Sequence, residues 1–163
     1  LHLSIRRQRQ MCIRDSLSVA YPEADIPVVQ LSLDARKPIS WHYEIGRRLR
    51  PLREEGILIL GSGNVVHTLA QMQWDIQAKP HDWADRFNNF VIDVIETNTP
   101  ERLFDHQALG YDAAMSIPPQ DLGHYWPLFY VLGARYDEDK VTINPKHVQY
   151  KSLSMMSFLL DCR

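Results

Sequence analysis

The run ILILGSGNVVHTL, residues 57–69, holds the residue types best placed for chemistry. Gly61 and Gly63 follow an oily stretch, and Asn64 and His67 come directly after them. Glycines beyond a strand commonly bind phosphate, but neither phosphate pattern fits. A dinucleotide fingerprint needs G-x-G-x-x-G and an acidic residue at the end of the next strand. Val66 occupies the third glycine position, and the next apolar segment is a helix starting near Trp83 rather than a strand. A Walker-type loop needs Gly-Lys-Ser/Thr, which does not follow. The remaining role for the glycines is to allow positive φ or close backbone approach, so that the chain folds over the strand end and aims His67 into a pocket. A neutral imidazole is the commonest side-chain metal ligand and also an acid or base near physiological pH. A single loop histidine is more often structural than functional, and its place beyond a strand improves the case without closing it. The Asn64 amide either braces the turn or hydrogen-bonds a ligand, and the sequence leaves both open.

The elements that must position these residues follow an α/β pattern. IPVVQLSL, 26–33, is β-branched and bounded by Pro27 and Asp34, which predicts a buried strand. Pro38 then opens a helix in which Ile45, Leu49 and Leu52 recur at helical spacing, with Arg47, Arg48, Arg50 and Arg53 on the other faces. Gly56 closes that helix, and ILIL at 57–60 is a second strand. Strand, helix and strand with short links predict a parallel, right-handed crossover. Ligands of open parallel sheets sit beyond the carboxyl ends of the strands, where GSGNVVH begins.

From about Pro80, Trp83, Phe87, Phe90, Val91, Val94 and Ile95 form one apolar helical stripe, read as core packing, with Asp82, Asp85 and Arg86 facing outward. Thr99 and Pro100 read as the N-cap and first residue of another helix. PPQDLGHYWPLFYVLGA gives a further helix, interrupted near Gly123 and Pro127. KVTINPKHVQYKSLSMMSFLLD alternates apolar and polar residues and predicts two strands with a turn near Asn144 and Pro145. The expected fold is α/β, with a mostly parallel central sheet flanked by helices and antiparallel edge strands at the C-terminal end.

Composition excludes several classes of function. At 163 residues with a net charge of -2, the chain suits one soluble domain and lacks the clustered Lys and Arg of a nucleic-acid binder. Cys12 and Cys162 stand near opposite ends without a CxxC pair, which points to a reducing cytoplasm. The longest oily segment, WPLFYVLGA, is too short to span a bilayer. LHLSIRRQRQMCIRDS is basic but has no continuous apolar core, so it is not a secretory signal. Its composition differs from everything after Tyr21, and RRQRQMCIRDS looks like translated adapter sequence. Residues 1–17 are therefore read as a foreign or disordered leader and residues 18–163 as the domain proper.

YPEADIPVVQLSLD, WHYEIGRRLRPLREEGILILGSGNVVH and LGHYWPLFYVLGA resemble the class III extradiol ring-cleavage dioxygenases of the subunit-B type, and within them the DOPA-type (4,5-DOPA) branch. The resemblance runs in order from about Tyr21 to SLSMMS and covers the later part of that family's domain, which implies an incomplete domain. It implies that His67 is a ligand of a single non-haem Fe(II), with zinc possible in its place. It implies that His124 lies at the active site, beside metal and substrate, as a ligand and catalytic group. Open positions on such an ion accept a small-molecule catechol and O2, and a histidine suits the proton transfers that ring opening needs. No nucleic acid or membrane partner is implied, and the parent protein is expected to be a monomer.

The chain also departs from the family pattern. The family's His-Gly-Ser-Pro, Ser-Ala-His-Trp and Asp-His-Gly motifs do not occur here. His67 and His124 alone give no three-point grip on Fe(II), a loss expected to exceed the roughly 10- to 100-fold cost of lost outer-shell partners. The chain as written is thus expected to be inactive, with an unpaired sheet edge and exposed apolar surface. Two other classes stay open: a zinc hydrolase or phosphorylase on a similar α/β scaffold, and a non-catalytic fragment. The remaining histidines receive no chemistry. His42 is expected as a capping or surface contact, His81 at a helix start, His106 in a charged helical stretch and His147 in the tail turn.

Overall fold

The structure is a computed structural model that describes residues 13 and 15–161. It divides into two compact units, one ending at Ser32 and one beginning at Leu33. In the first, residues 15–20 are helical, and the Tyr21 N–H donates to the Leu17 carbonyl at 2.8 Å. Most of the expected leader, 1–17, lies outside the described residues, as do Cys12 and Cys162.

The second unit starts with helix α1 (Ile39–Leu49), entered through Pro38 in extended backbone. It runs directly into a 3-10 turn, Arg50–Glu55, which Gly56 ends at φ 77. That left-handed conformation suits glycine, which has no Cβ to clash. Helix α2 (Asp82–Thr97) carries the predicted stripe: Trp83, Phe87, Val91, Val94 and Ile95 are buried, while Asp82 and Arg86 are exposed. Burying each such side chain contributes about 1.5–3 kcal/mol, so this stripe anchors the unit. Thr99 precedes only a 3-10 turn, Pro100–Leu103, and helix α3 (Gly110–Ser116) follows and packs on α2.

The expected interrupted helix exists as two pieces, α4 (Leu122–Tyr125) and α5 (Pro127–Gly133), preceded by a 3-10 turn at Pro119–Asp121. The break falls at Pro127, whose ring denies the helix an N–H, whereas Gly123 lies inside α4. Helices α1 and α5 meet backbone to backbone. A Cβ on Gly46 would stand 2.4 Å from the Tyr130 carbonyl, and one on Gly133 would stand 2.2 Å from that of Tyr43. This contact sets the position of α5 and, through it, of α4.

The C-terminal region is antiparallel, as expected, but forms two small nested sheets. Strand β1 (Lys140–Ile143) pairs with β4 (Phe158–Asp161), Lys140 opposite Asp161 and Ile143 opposite Phe158. Inside them β2 (Val148–Gln149) pairs with β3 (Leu153–Ser154). The bend at Asn144 and Pro145 therefore starts an excursion rather than a direct reversal.

The parallel sheet is not formed. Among the described residues every strand pair is antiparallel, and residues 26–33 and 57–60 are in no strand. Both runs have the composition of strands buried on two faces. Val29 is 93% exposed and Leu58 62%, so neither face is covered here. A parallel strand takes its hydrogen bonds from neighbours distant in sequence, and no described segment supplies them.

Candidate metal centre

The loop after Gly61 is stitched to three elements. The Asn64 N–H donates to the His124 carbonyl at 2.7 Å, and the His67 N–H donates to the Ser116 carbonyl at 2.7 Å. The Ser154 N–H donates to the Val66 carbonyl at 3.0 Å, and His67 forms an isolated antiparallel bridge with Leu153. Val65 and Val66 point into the core, where they are 4% and 0% exposed. The apolar pair pins the loop from below, and backbone hydrogen bonds pin it from the sides.

The glycines have a specific purpose here. Neither Gly61 nor Gly63 is in the left-handed region, so positive φ is not what they supply. A Cβ on Gly63 would lie 2.1 Å from the His124 carbonyl oxygen, and one on Gly61 2.9 Å from that of Pro127. Of the two roles glycine can play, close backbone approach is the one used. It lets the loop lie directly on α4 and the start of α5.

The result brings together the two histidines singled out from the sequence. The rings of His67 and His124 stack with centroids 4.0 Å apart and an interplanar angle of 26°. Asp121, at the end of the preceding 3-10 turn, joins them, its Oδ1 lying 3.9 Å from His67 Nδ1. That separation is too long for a hydrogen bond. His67 Nδ1 is buried and makes no hydrogen bond with any described residue, a costly arrangement for a ring nitrogen unless something else meets it.

Ligand atoms of His67, Asp121 and His124 all lie within 4.8 Å of one another, and the three side chains are partly exposed. Two donors on one ion, each about 2.0–2.2 Å from it, can stand up to about 4.4 Å apart, so small side-chain adjustments suffice for all three. Two imidazoles and a carboxylate suit Fe(II) or zinc. The fit is good, and the three residues could hold a metal ion. Sequence reasoning counted two donors here and missed Asp121. The available signal was Asp-x-x-His, a spacing that brings two side chains to one side of a helical turn.

Asn64 uses both ends of its amide within the protein. Its Oδ1 accepts the Val66 N–H at 3.0 Å and its Nδ2 donates to the Ser154 carbonyl at 3.0 Å. Tyr125, beside His124, is buried edge-on against Phe129 with centroids 4.9 Å apart. Burial pushes its phenol pKa up, so it stays protonated and acts as an anchor for α4. A separate hollow of about 320 Å³ beside α2, lined by Arg86, Phe87, Phe90, Ala108, Leu109 and Asp112, contains none of the three donors.

The other histidines lie in structural settings. His42 is fully buried, which corrects the expectation of a capping or surface contact. Its Nδ1 lies 3.0 Å from the Tyr130 hydroxyl, and its ring stacks on Trp126 at 5.1 Å. Ile39, His42 and Gly46 occupy the buried face of α1, so the imidazole is directed inward. His106 lies in a turn rather than a helix, with Nε2 3.1 Å from the Ala113 carbonyl. His81 is the N-cap of α2 and stacks on Trp83, as a helix-start residue should. His147 Nε2 lies 2.9 Å from Gln149 Nε2 in the tail.

Comparison with known proteins points to one family. A 4,5-DOPA dioxygenase extradiol from Escherichia coli (strain K12) is 41% identical over 143 residues, which is 84% of this chain and 51% of that protein. One from Mirabilis jalapa is 34% identical over 124 residues, 72% of this chain and 43% of the relative. The crystal structure of an uncharacterized protein from Escherichia coli K12 matches with a TM-score of 0.77 at 41% identity, covering 87% of this chain and 58% of that one. The chain thus spans about half the length of the curated relatives it matches. Residues 17–160 match the family model of the catalytic LigB subunit of aromatic ring-opening dioxygenase, and the chain belongs to that family.

Proposed function

We propose that this chain carries part of the active site of an extradiol dioxygenase that opens catecholic rings with O2. The observation that carries the reading is the His67–His124 stack, made by a glycine loop lying against α4. His67 and His124 are the proposed metal-facing groups. When bound, Fe(II), or zinc in its place, supplies Lewis acidity and open positions where a catecholate and O2 can meet. Both rings stand on fixed backbone: the N–H of His67 is tied to Ser116, and the carbonyl of His124 accepts from Asn64. His124 is the proposed catalytic residue, taking or returning a proton at its imidazole as the ring opens. Asn64 braces the loop, and a substrate contact would draw on what its two internal hydrogen bonds leave of the amide.

The relatives named 4,5-DOPA dioxygenase extradiol support a DOPA-like catechol as substrate. Residues 18–163 are read as the later part of one catalytic domain, with 1–17 outside it; the family match at 17–160 supports that extent. In that whole domain, residues 26–33 and 57–60 would be strands of a mostly parallel central sheet, a reading supported by their apolar, exposed side chains. No helix among the described residues is long and apolar enough to cross a membrane. The proposal takes the whole protein as a monomer of the cytoplasm, the location resting on two cysteines that form no CxxC pair.

The chain alone is proposed to lack turnover, because the family's acid–base Asp-His-Gly motif and two further histidine motifs do not occur in it. The test is oxygen uptake with L-DOPA after loading with Fe(II). It is run on this chain and on a fusion carrying the missing motifs from the Escherichia coli relative. The fusion should consume oxygen and the chain alone should not. A silent fusion would overturn the dioxygenase reading, and turnover by the chain alone would overturn its dependence on the absent motifs.

A further inference from the structure

We propose that Asn88 and Ser154 are positioning residues for His67: a buried amide on α2 holds the hydroxyl of β3, and β3 holds Asn64 and Val66 on the approach to the histidine. The inference rests on the reading of His67 as a metal-facing group and concerns what aims its ring. Successive side chains of an extended segment point to opposite faces, so a slip of one residue would turn His67 away from His124. The backbone pairing that fixes this register is slight. His67 meets Leu153 through one isolated antiparallel bridge.

Side chains supply what the short pairing lacks. The Ser154 N–H donates to the Val66 carbonyl at 3.0 Å, and the Ser154 carbonyl accepts from Asn64 Nδ2 at 3.0 Å. Its hydroxyl donates to Asn88 Oδ1 at 2.6 Å and accepts the Met156 N–H at 3.0 Å. Beyond Leu153 a second serine acts on the other side of the histidine. The Ser152 hydroxyl donates to the Thr68 carbonyl at 2.7 Å, and the Thr68 N–H donates to the Ser152 carbonyl at 3.2 Å. The Ser-Leu-Ser run therefore lies along Val66, His67 and Thr68, with His67 opposite the leucine and a serine at each end.

Asn88 anchors this run from the core. The other buried residues of α2 are apolar, Phe87 and Val91 among them, and Asn88 is the one polar side chain in that set, at 2% exposure. Asparagine is a poorer helix former than leucine or alanine, and a buried amide costs free energy unless it is hydrogen-bonded. Both ends of this amide are bonded: Oδ1 accepts from Ser154, and Nδ2 donates to the Lys146 carbonyl at 2.7 Å. The amide thereby joins α2 to β3 and to the segment before β2. It fixes β3 along its own length, where an apolar residue of similar size would let the strand slide. A settled register, and with it the direction of His67, is what offsets an amide in an apolar stripe.

A purely structural role would cost stability and leave the ring of His67 where it is, and NMR separates the two. The metal-free chain, carrying isotope-labelled histidine, is compared at one pH as wild type, N88A, S154A and S154T. H67A assigns the His67 signals, and H124A shows where they fall without the stack. Circular dichroism monitors folding, S154A serves if N88A does not fold, and R53M supplies a destabilised chain altered outside this network. N88A and S154A should each move the His67 signals toward their H124A positions and speed amide exchange at Val66. S154T, which keeps the hydroxyl, and R53M should hold the wild-type positions. Unmoved His67 signals in N88A and S154A, or an equal displacement in S154T or R53M, would overturn the proposal and leave the histidine reading standing. If H67A and H124A bind zinc as the wild type does, the histidine reading itself fails and takes the role of Asn88 and Ser154 with it.

Discussion

Gly63 lies so close to His124 that a single added methyl would fall 2.1 Å from that residue's carbonyl oxygen. The loop bearing His67 and the helix bearing His124 therefore touch through bare backbone, and the Asn64 N–H donates to that same carbonyl. Ring stacking at 4.0 Å follows from this contact.

Gly63→Ala should push the loop off α4. Overpacking of this kind costs typically about 1–3 kcal/mol, and here it would also part the two imidazoles. Urea unfolding and zinc titration check it. The variant should lose both stability and zinc affinity; retention of both at wild-type values would contradict the close-approach account of the glycines.

Asn64→Ala should remove the acceptor of the Val66 N–H and the donor to the Ser154 carbonyl. Leaving buried partners unsatisfied costs about 1–3 kcal/mol. A lower urea midpoint is the expected result, together with faster amide exchange at Val66.

Arg53 grips Asp139 through two hydrogen bonds of 2.6 and 2.9 Å and also donates to the Ala134 carbonyl, tying the end of the α1 segment to the end of α5. The Asp139 side chain is fully buried. Arg53→Met should take away that carboxylate's guanidinium partner while leaving the Tyr136 N–H on it at 2.9 Å, and destabilise the protein by about 3–5 kcal/mol. Chemical denaturation measures the loss, and zinc affinity of the molecules that stay folded should be unchanged.

Burial lowers the pKa of His42 from 6.5, and burial lowers that of His106 in the same direction. The unfolded chain then binds protons that the folded chain refuses. Stability from these groups is complete above the unfolded value near 6.5 and falls as pH drops toward the lowered folded value. The urea midpoint should decline between about pH 7 and pH 5, and His42→Gln should flatten part of that decline. An equal slope in wild type and variant would remove His42 from the account.

What the sequence discloses divides along local and non-local lines. The α2 stripe, the Gly56 stop and the break at Pro127 are legible because each depends on residues within a turn or two. The antiparallel tail is legible as alternation, although the pairing of β1 with the distant β4 is not written in either strand. Residues 26–33 and 57–60 read as parallel strands on composition, but a strand is completed by neighbours that no local pattern reveals.

Site residues divide in a similar way. Gly63 and His67 stand out because two glycines and then a histidine follow an oily run in a pattern that fits neither phosphate-binding loop. Asp121 does not stand out, since Asp-x-x-His is common on ordinary helix surfaces. His42 was legible only through its companions Ile39 and Gly46, whose spacing marks the face of α1 that meets α5.

The central claim is that His67 and His124 face one metal ion, and X-ray absorption on the one-to-one zinc complex tests it most directly. The spectrum should show two imidazoles at about 2.0–2.1 Å, with the imidazole signal reduced in H67A and in H124A. A zinc shell without imidazole scattering, or one that neither substitution changes, would contradict the account.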